Sequence, residues 1–247
     1  MSKKRCQIRV GTSGWHYAHW QGLLYPRDLP KTKWLSFYSE HFDTVEINNT
    51  FYRLPQAGTF EGWSSQVPAN FLFALKASRY ITHIKRLLDS NDSVDLFLER
   101  AEPLGRQLGP ILFQLPPSFR KDLDRLETFL QAAQKRLQAF VEFRHKSWYE
   151  QDTWDLLDKF GFGVCVHDWG DAAAPRVITA RKIYLRLHGS GESRYEGKYT
   201  PSQMKDWADW INEHRGEVTH VYAYFNNDIH GYAVENARTL RSLLQPD

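Results

Sequence analysis

Short stretches of the chain alternate between apolar and polar residues, a pattern typical of β-strands. Val141 and Phe143, for example, alternate with Glu142 and Arg144. In each of these stretches the polar residues lie near the carboxyl end, and segments with helical periodicity separate one stretch from the next. Repeated strands of this kind predict a barrel whose inner face is polar at one end. The clearest further copies are residues 44–48, 183–188 and 221–226.

The whole pattern predicts eight strands, at residues 8–13, 44–48, 71–76, 111–115, 140–144, 163–167, 183–188 and 221–226. Helices are predicted at residues 34–42, 59–66, 90–108, 123–137, 153–160 and 200–214, with a last helix after residue 231. Gly161 occupies the usual glycine position after a helix, and Pro175 in the short sixth crossover predicts a degenerate helix or none there.

Eight strands alternating with helices over 247 residues favour a closed (β/α)₈ TIM-like barrel, with residues 1–247 as a single domain. A doubly wound open sheet is the alternative. Gly11 and Gly14 do not form the GxGxxG loop that a dinucleotide-binding sheet of that kind would carry after its first strand.

Composition narrows the functional classes. The net charge of +3 is small, and lysine and arginine are dispersed, so nucleic-acid binding is only weakly indicated. The basic residues 3–5 are interpreted as a solvated terminus. Cys6 and Cys165 are too few for a disulfide framework and are expected to be free thiols. With no apolar run of membrane-spanning length and no hydrophobic signal region, we expect a soluble cytoplasmic protein without a membrane partner.

In each strand, every second residue is mainly apolar and is predicted to face the helices. The residues between them are predicted to face the barrel axis: Arg9, Gly11, Ser13, Glu46, Asn48, Ala74, Lys76, Leu112, Gln114, Glu142, Arg144, Cys165, His167, Tyr184, Arg186, His188, Tyr222, Tyr224 and Asn226. Buried charges need partners or water, and one interpretation of this set is a structural salt-bridge lattice in which Lys76, Arg144 and Arg186 neutralise Glu46 and Glu142. For Arg9, low on the first strand, we expect a structural ion pair. The polar residues higher up predict a functional site, because active sites of this fold lie at the carboxyl ends of the strands.

Several chemistries fit this set. In the first, Glu46 and Glu142 act as general acid and base while Lys76, Arg79 and Arg144, together with Arg186, hold a phosphate or carboxylate. In the second, carboxylates and imidazoles bind a divalent metal. No HExxH or similarly tight spacing supports that site, and we assign no metal ligands; its candidates are Glu142, His167 or Asp168, His188 and Asp228.

Two further alternatives stay open. Glu46 and Glu142 would suit glycoside hydrolysis if aromatic side chains stacked on a sugar; the candidates are Trp15, Trp20, Tyr52 and Trp148. A non-catalytic barrel that binds a nucleotide or single-stranded nucleic acid is the other alternative. Residues 189–197 are rich in loop-forming residues and are a candidate lid.

Six motifs, spread in order along essentially the whole chain, resemble the YecE-like family (domain of unknown function 72). They are Gly11-Thr-Ser-Gly-Trp15, Val45-Glu-Ile-Asn48 with Thr50-Phe-Tyr52, Gln114-Leu-Pro-Pro-Ser-Phe119, Val141-Glu-Phe-Arg-His145 with Ser147-Trp148, Tyr184-Leu-Arg-Leu-His-Gly189 and Tyr224-Phe-Asn-Asn-Asp228. The resemblance implies a TIM-barrel-like fold and no particular activity. The family's signature positions correspond to Glu46, Asn48, Arg79, His83, Gln114, Glu142, Arg144, His188 and Asn226.

We therefore predict an enzyme that acts on a small anionic molecule, with Glu46, Glu142 and His188 as catalytic residues. The predicted substrate-binding residues are Asn48, Lys76, Arg79, His83, Gln114, Arg144, Arg186, Tyr224 and Asn226. A metal-dependent hydrolase or sugar isomerase is the alternative. The sequence identifies no cofactor and no protein partner.

Overall fold

A computed structural model describes residues 6–133, 137–170, 173–191 and 195–244. Eight strands form one parallel sheet in the order β1-β8-β7-β6-β5-β4-β3-β2. Their bounds are β1 Gln7–Thr12, β2 Thr44–Ile47, β3 Leu72–Lys76, β4 Leu108–Gln114, β5 Ala139–Glu142, β6 Gly163–His167, β7 Lys182–Leu187 and β8 His220–Phe225. Each predicted strand is present, which confirms the strand count.

Helices follow nearly every strand, as expected for a TIM-like barrel. They are α1 Trp34–His41, α2 Asn49–Tyr52, α3 Ala57–Ser64, α4 Asn91–Ala101, α5 Leu123–Ala133, α6 Gln151–Phe160, α7 Pro201–His214 and α8 Tyr232–Leu244. Between β6 and β7, residues 173–181 contain no helix, in agreement with the prediction for this crossover. The α/β barrel predicted from the sequence is therefore confirmed.

Helix boundaries follow local chemistry. Thr200 caps α7 through a reciprocal capping box with Gln203, and Gly161 ends α6 in the left-handed conformation, with φ of 75°. The prediction that α4 extends to residue 108 was wrong. Gly105 adopts a non-helical φ of 49° in a 3₁₀ segment that follows α4, so β4 begins three residues earlier than predicted. The predicted end of α5, Leu137, is not helical, and residues 134–136 between it and Ala133 lie outside the described ranges.

The core has two layers. Apolar residues of the outward parity, such as Val45, Phe73 and Val141, pack beneath the helices. The lower barrel interior is filled by residues of the other parity, Ala74, Leu112, Phe140, Cys165, Tyr184, Tyr222 and Tyr224. This layer closes the barrel below the polar residues, so the polar end is a cavity with a floor and not a pore.

The barrel closes between β1 and β2 by an indirect link. The Tyr38 hydroxyl lies between the strands, accepting from the Thr12 amide at 3.1 Å and donating to the Thr44 carbonyl at 3.0 Å. Gly11 is required beside it, because a Cβ there would lie 2.3 Å from the Thr44 oxygen. Above this point the Gly14 amide donates directly to the Glu46 carbonyl at 2.8 Å. The seam is thus a strand pair with a tyrosine inserted.

Arg9 forms the expected structural ion pair, with its Nη1 2.5 Å from an Asp43 carboxylate oxygen. Within the described ranges, no helix has both the length and the apolar character needed to cross a bilayer.

Candidate active site

The carboxyl ends of the strands surround a cavity of about 1200 Å³ to which residues following all eight strands contribute. Nine of the predicted site residues line it: Asn48, Lys76, Arg79, His83, Gln114, Arg144, Arg186, His188 and Asn226. Glu46 and Glu142 are fully buried directly beneath. Tyr224 is not part of the lining, because it lies deeper in the barrel with its hydroxyl 2.7 Å from the Thr44 hydroxyl.

Arg186 connects the two buried glutamates. Its Nε and Nη2 donate to the two carboxylate oxygens of Glu46 at 2.9 and 3.0 Å, and its Nη1 donates to Glu142 Oε2 at 2.8 Å. Arg186 is 2% exposed. One guanidinium therefore forms a bidentate pair with one carboxylate and a single bond to the other, in the planar geometry that arginine favours.

Glu46 is saturated with hydrogen bonds. Besides Arg186, it accepts from Ser13 Oγ at 2.6 Å, Tyr184 Oη at 2.8 Å and Asn48 Nδ2 at 3.2 Å. Burial raises the pKa of Glu46, but the charge and hydrogen bonds of Arg186 outweigh that effect and leave the pKa below its ordinary value. The carboxylate is ionised and its lone pairs are in use.

Glu142 is held in the same way from the other side of the barrel. Gln114 Nε2 donates to its Oε1 at 2.6 Å, and Arg144 Nε donates to the same oxygen. Burial raises the pKa of Glu142, but the charges of Arg144 and Arg186 bring it well below its usual range.

Arg144 joins this network to the upper wall. Its guanidinium lies 4.3 Å from the ring centre of Trp169, a cation–π contact, and its Nη2 is 3.4 Å from His188 Nε2. His188 Nδ1 lies 3.4 Å from Asp168 Oδ1, too far for a strong hydrogen bond. Burial lowers the pKa of His188, so its imidazole is neutral at pH 7.

Lys76, the last residue of β3, presents a different environment. Its side chain is 8% exposed, and its Nζ lies 4.2 Å from the ring centre of Phe51. Burial, with the charge of Arg186 as the next cause, lowers the pKa of Lys76 to about 7. Among the described residues, neither Lys76 Nζ nor the exposed Arg79 forms an ion pair.

His83 lies on a single π-helical turn, Tyr80–Ile84, a geometry that is frequent at functional sites. Its Nδ1 is 2.9 Å from the Thr82 hydroxyl, and its ring meets the Phe51 ring edge to face. Burial and the charge of Lys76 lower the pKa of His83 to about 4. It is therefore a neutral hydrogen-bonding group at the cavity wall.

Asp228 lies at the opposite edge of the cavity. Trp20 Nε1 donates to its Oδ1 at 2.7 Å, while His19 Nε2 lies 2.8 Å from its main-chain oxygen and 2.9 Å from Oδ2. Because one N–H can bond well to only one of these atoms, Oδ2 is left without a full hydrogen bond. Burial raises the pKa of Asp228 to about 6.

The candidate metal ligands do not converge in the described part of the chain, where no group of three or more histidine, cysteine or acidic side chains has a metal-binding arrangement. Each has another partner. His167 Nε2 lies 2.9 Å from the Phe143 carbonyl oxygen, the Asp168 carboxylate accepts from Tyr199 and from the His188 amide, and Asp228 is bound to Trp20.

Of the aromatic residues suggested for sugar stacking, Tyr52 lines the cavity. Trp20 and Trp148 are completely buried, and Trp15 packs edge to face against Trp63. Several lining residues were not predicted from the sequence: Tyr17, His19, Phe51, Trp169, Tyr195 and Ile229. Position shortly after a strand was the available signal for Trp169; Phe51 lies on the short helix α2, and the others have no such signal. The candidate lid includes residues 192–194, which are outside the described ranges.

The chain is similar in sequence to two UPF0759 proteins. The UPF0759 protein YunF of Bacillus subtilis is 27% identical over 269 residues, covering 96% of this chain and 94% of YunF. YecE of Escherichia coli K12 is 31% identical over 143 residues, covering 58% of this chain and 50% of YecE.

Among experimental structures, a DUF72 family protein from Thermotoga maritima superposes with a TM-score of 0.85 at 29% identity, covering 96% of this chain and 99% of that one. A DUF72 family protein from Enterococcus faecalis superposes with a TM-score of 0.83 at 21% identity, covering 98% and 96% of the two chains; it supports the fold. The family model described as "Protein of unknown function DUF72" matches residues 9–247. With this match across the barrel and its polar cavity, the chain belongs to the DUF72 family.

Proposed function

We propose that the protein is an enzyme that binds a small phosphorylated or carboxylated molecule in the cavity and acts on it by general acid–base chemistry. One observation carries the proposal: within the described residues, Lys76 and Arg79 face the cavity with no carboxylate paired to either. An anionic ligand would supply the missing partner.

The charges below the cavity support this proposal. Arg144 and Arg186 are neutralised by Glu142 and Glu46, so those four groups leave no excess charge. Lys76 and Arg79 add positive charge above them. Lys76 and Arg79 therefore make the part of the cavity at the end of β3 positively charged, which attracts anions, while Asp168 and Asp228 line the cavity after β6 and β8.

The two glutamates suit an electrostatic role better than proton transfer. Each is ionised, fully buried and saturated with strong donors, whereas a general base is most effective when its pKa is near the working pH. In the proposal Glu46 and Glu142 fix the positions of Arg186 and Arg144. Lys76, whose pKa is about 7, carries the proton, and neutral His188 and His83 orient the ligand by hydrogen bonds.

The first experiment is isothermal titration calorimetry with lactate and glycerol 3-phosphate at low ionic strength. We expect binding that weakens with added salt. The Arg79→Met variant should bind about tenfold to a hundredfold more weakly, because a charge-assisted hydrogen bond contributes about 1.5–3 kcal/mol.

Arg86→Met is the matched control. Arg86 lies on the same loop but contacts Ser118 outside the cavity, so its replacement should leave affinity unchanged. Equal losses in the two variants, or no binding by either anion, would refute the anion site. Screening bound anions for turnover then tests the catalytic part of the proposal: a ligand that is bound but never converted would indicate a non-catalytic binding barrel.

A further inference from the structure

We infer that Lys76 is a nucleophile that forms an imine with a small carbonyl compound carrying an anionic group. The inference rests on the proposed function, because it specifies the substrate class of the same cavity. Arg79 and Arg144 would hold the anionic group, and the carbonyl carbon would meet the Lys76 amine at the end of β3.

Lys76 is separated from carboxylates by the architecture of the site. The Thr50 hydroxyl donates to its main-chain oxygen at 2.6 Å, which fixes the end of β3, while its Nζ rests on the apolar face of Phe51. The backbone of Lys76 is anchored, and its side-chain nitrogen is not bound to an acidic group of the described chain. Other lysines differ, with ammonium groups paired to acidic side chains: Lys121, Lys159, Lys198 and Lys205.

The electrostatic surroundings favour the neutral amine, the form that attacks a carbonyl. Burial and the neighbouring charges of Arg186 and Arg144 lower the pKa of Lys76, whereas Glu142 and Glu46 act in the opposite direction. Burial is the largest of these effects, so the net result is a lowered pKa. With a pKa of about 7, a large fraction of Lys76 is uncharged at neutral pH.

The reaction is balanced without an added acid, oxidant or reductant. The nitrogen lone pair forms a bond to the carbonyl carbon while the carbonyl π electrons move to oxygen, giving a carbinolamine. Loss of that oxygen as water gives the protonated imine. Overall, the Lys76 ammonium and the carbonyl compound become iminium and water: the proton that the ammonium releases to solvent before the attack returns to the carbinolamine oxygen and leaves in the water molecule together with one amine hydrogen.

Borohydride trapping tests the inference. The intact protein is incubated with pyruvate or glyceraldehyde 3-phosphate, reduced with sodium borohydride, digested and mapped by mass spectrometry. We expect a reduced adduct on Lys76 with at least one of these compounds, and an adduct yield that rises with pH around a midpoint of about 7. Lys76→Met should lose the adduct.

Lys182 is the internal control. Burial lowers the pKa of Lys182 as well, but its Nζ is 3.3 Å from the Gly161 carbonyl at the opposite end of the barrel. Labelling of Lys182 as strong as that of Lys76 would show that the reaction reports lysine basicity alone and would overturn the inference.

Lactate and glycerol 3-phosphate separate this inference from the proposed function, since they carry the same anionic groups without a carbonyl. If they bind and neither carbonyl compound modifies Lys76, the imine is refuted and the anion site stands. If they do not bind, the proposed function fails. An adduct on Lys76 without such binding would support Lys76 as the nucleophile and would refute the binding of an anionic group by Arg79 and Arg144.

Discussion

At the scale of single residues, Arg186 is the group on which the floor of the cavity depends. It neutralises Glu46 and Glu142, and all three side chains are at most 2% exposed. In the Arg186→Met variant the carboxylates lose this partner in a buried site, so we expect the free energy of unfolding at pH 7 to fall by at least about 3 kcal/mol. Urea denaturation followed by circular dichroism measures this loss.

The difference in the free energy of unfolding between wild type and Arg186→Met should depend on pH. The folded-state pKa values of Glu46 and Glu142 lie below their ordinary values, so their contribution is present above about pH 4.5 and is lost as the pH falls further. The gap between wild type and Arg186→Met should therefore narrow in acid. Lys205→Met, which removes an exposed pair with Asp209, should cost less than about 1 kcal/mol. A similarly small loss for Arg186→Met would contradict the account.

Asp228 should have the opposite pH dependence. Burial raises its folded-state pKa from the ordinary value of 3.8 to about 6, so ionisation opposes folding. The stabilising contribution of the protonated carboxyl is present below about pH 4 and is lost as the pH rises to about 6. Asp228→Asn keeps an oxygen to accept from Trp20. We expect the free energy of unfolding of this variant at pH 7 to exceed that of wild type by up to about 3 kcal/mol.

The measurement is a series of urea denaturation curves of wild type and Asp228→Asn between pH 4 and 8. Because Asp228 is protonated near pH 4, the two proteins should have similar stability there, and this point is the internal control. A difference that does not change between pH 4 and 7 would show that the titration of Asp228 does not contribute.

Parity along the strands was sufficient to predict which residues face the axis, because side chains alternate between the two faces of a sheet. It does not report height along the axis. For that reason Tyr224, which has the same parity as Asn226, was assigned to the site although it fills the barrel interior. Parity did indicate that Arg186 and Arg144 could pair with Glu46 and Glu142, because buried charges need partners, but it does not show that Arg186 bonds to both glutamates while Lys76 bonds to neither.

At the scale of elements, the strands and most helices were predictable because their burial patterns are periodic. The α6 and α7 helices carry strong local signals, a glycine after the last turn and a capping threonine before the first. The end of α4 was not predictable from periodicity, because apolar Leu104 and Leu108 continue the helical spacing from Ala101 on both sides of Gly105.

Short elements near the site were missed for a related reason. The α2 helix has four residues, and the π-helical turn at Tyr80–Ile84 has five. Neither is long enough to display a repeating apolar face. Both are nevertheless important to the site, because α2 places Phe51 beneath Lys76 and the π-helical turn places His83 beside Phe51.

At the scale of the whole molecule, the count of strands and helices predicted a closed barrel but not how the ends of the sheet meet. Seven neighbouring strand pairs are parallel, and the β3–β4 pair has a register shift between Phe73 and Leu75. The β1–β2 seam is different, because the Tyr38 hydroxyl mediates between Thr12 and Thr44. A long-range contact from a helix to two strands leaves no periodic signal in the sequence.

The Tyr38 hydroxyl should therefore contribute to barrel closure, beside the direct bond from the Gly14 amide to the Glu46 carbonyl. Tyr38→Phe keeps the buried ring but leaves the Thr12 amide and the Thr44 carbonyl without this partner. We expect a loss of about 2–4 kcal/mol in urea denaturation, because an unpaired buried polar group costs about 1–3 kcal/mol. Tyr222→Phe, which removes a 3.1 Å bond to the partly buried Gln138, should cost about 1 kcal/mol, since water can replace that bond. Hydrogen exchange should accelerate at Thr12 in Tyr38→Phe and remain slow there in Tyr222→Phe. If both variants lose the same stability and Thr12 stays protected, the strands close the barrel without the tyrosine.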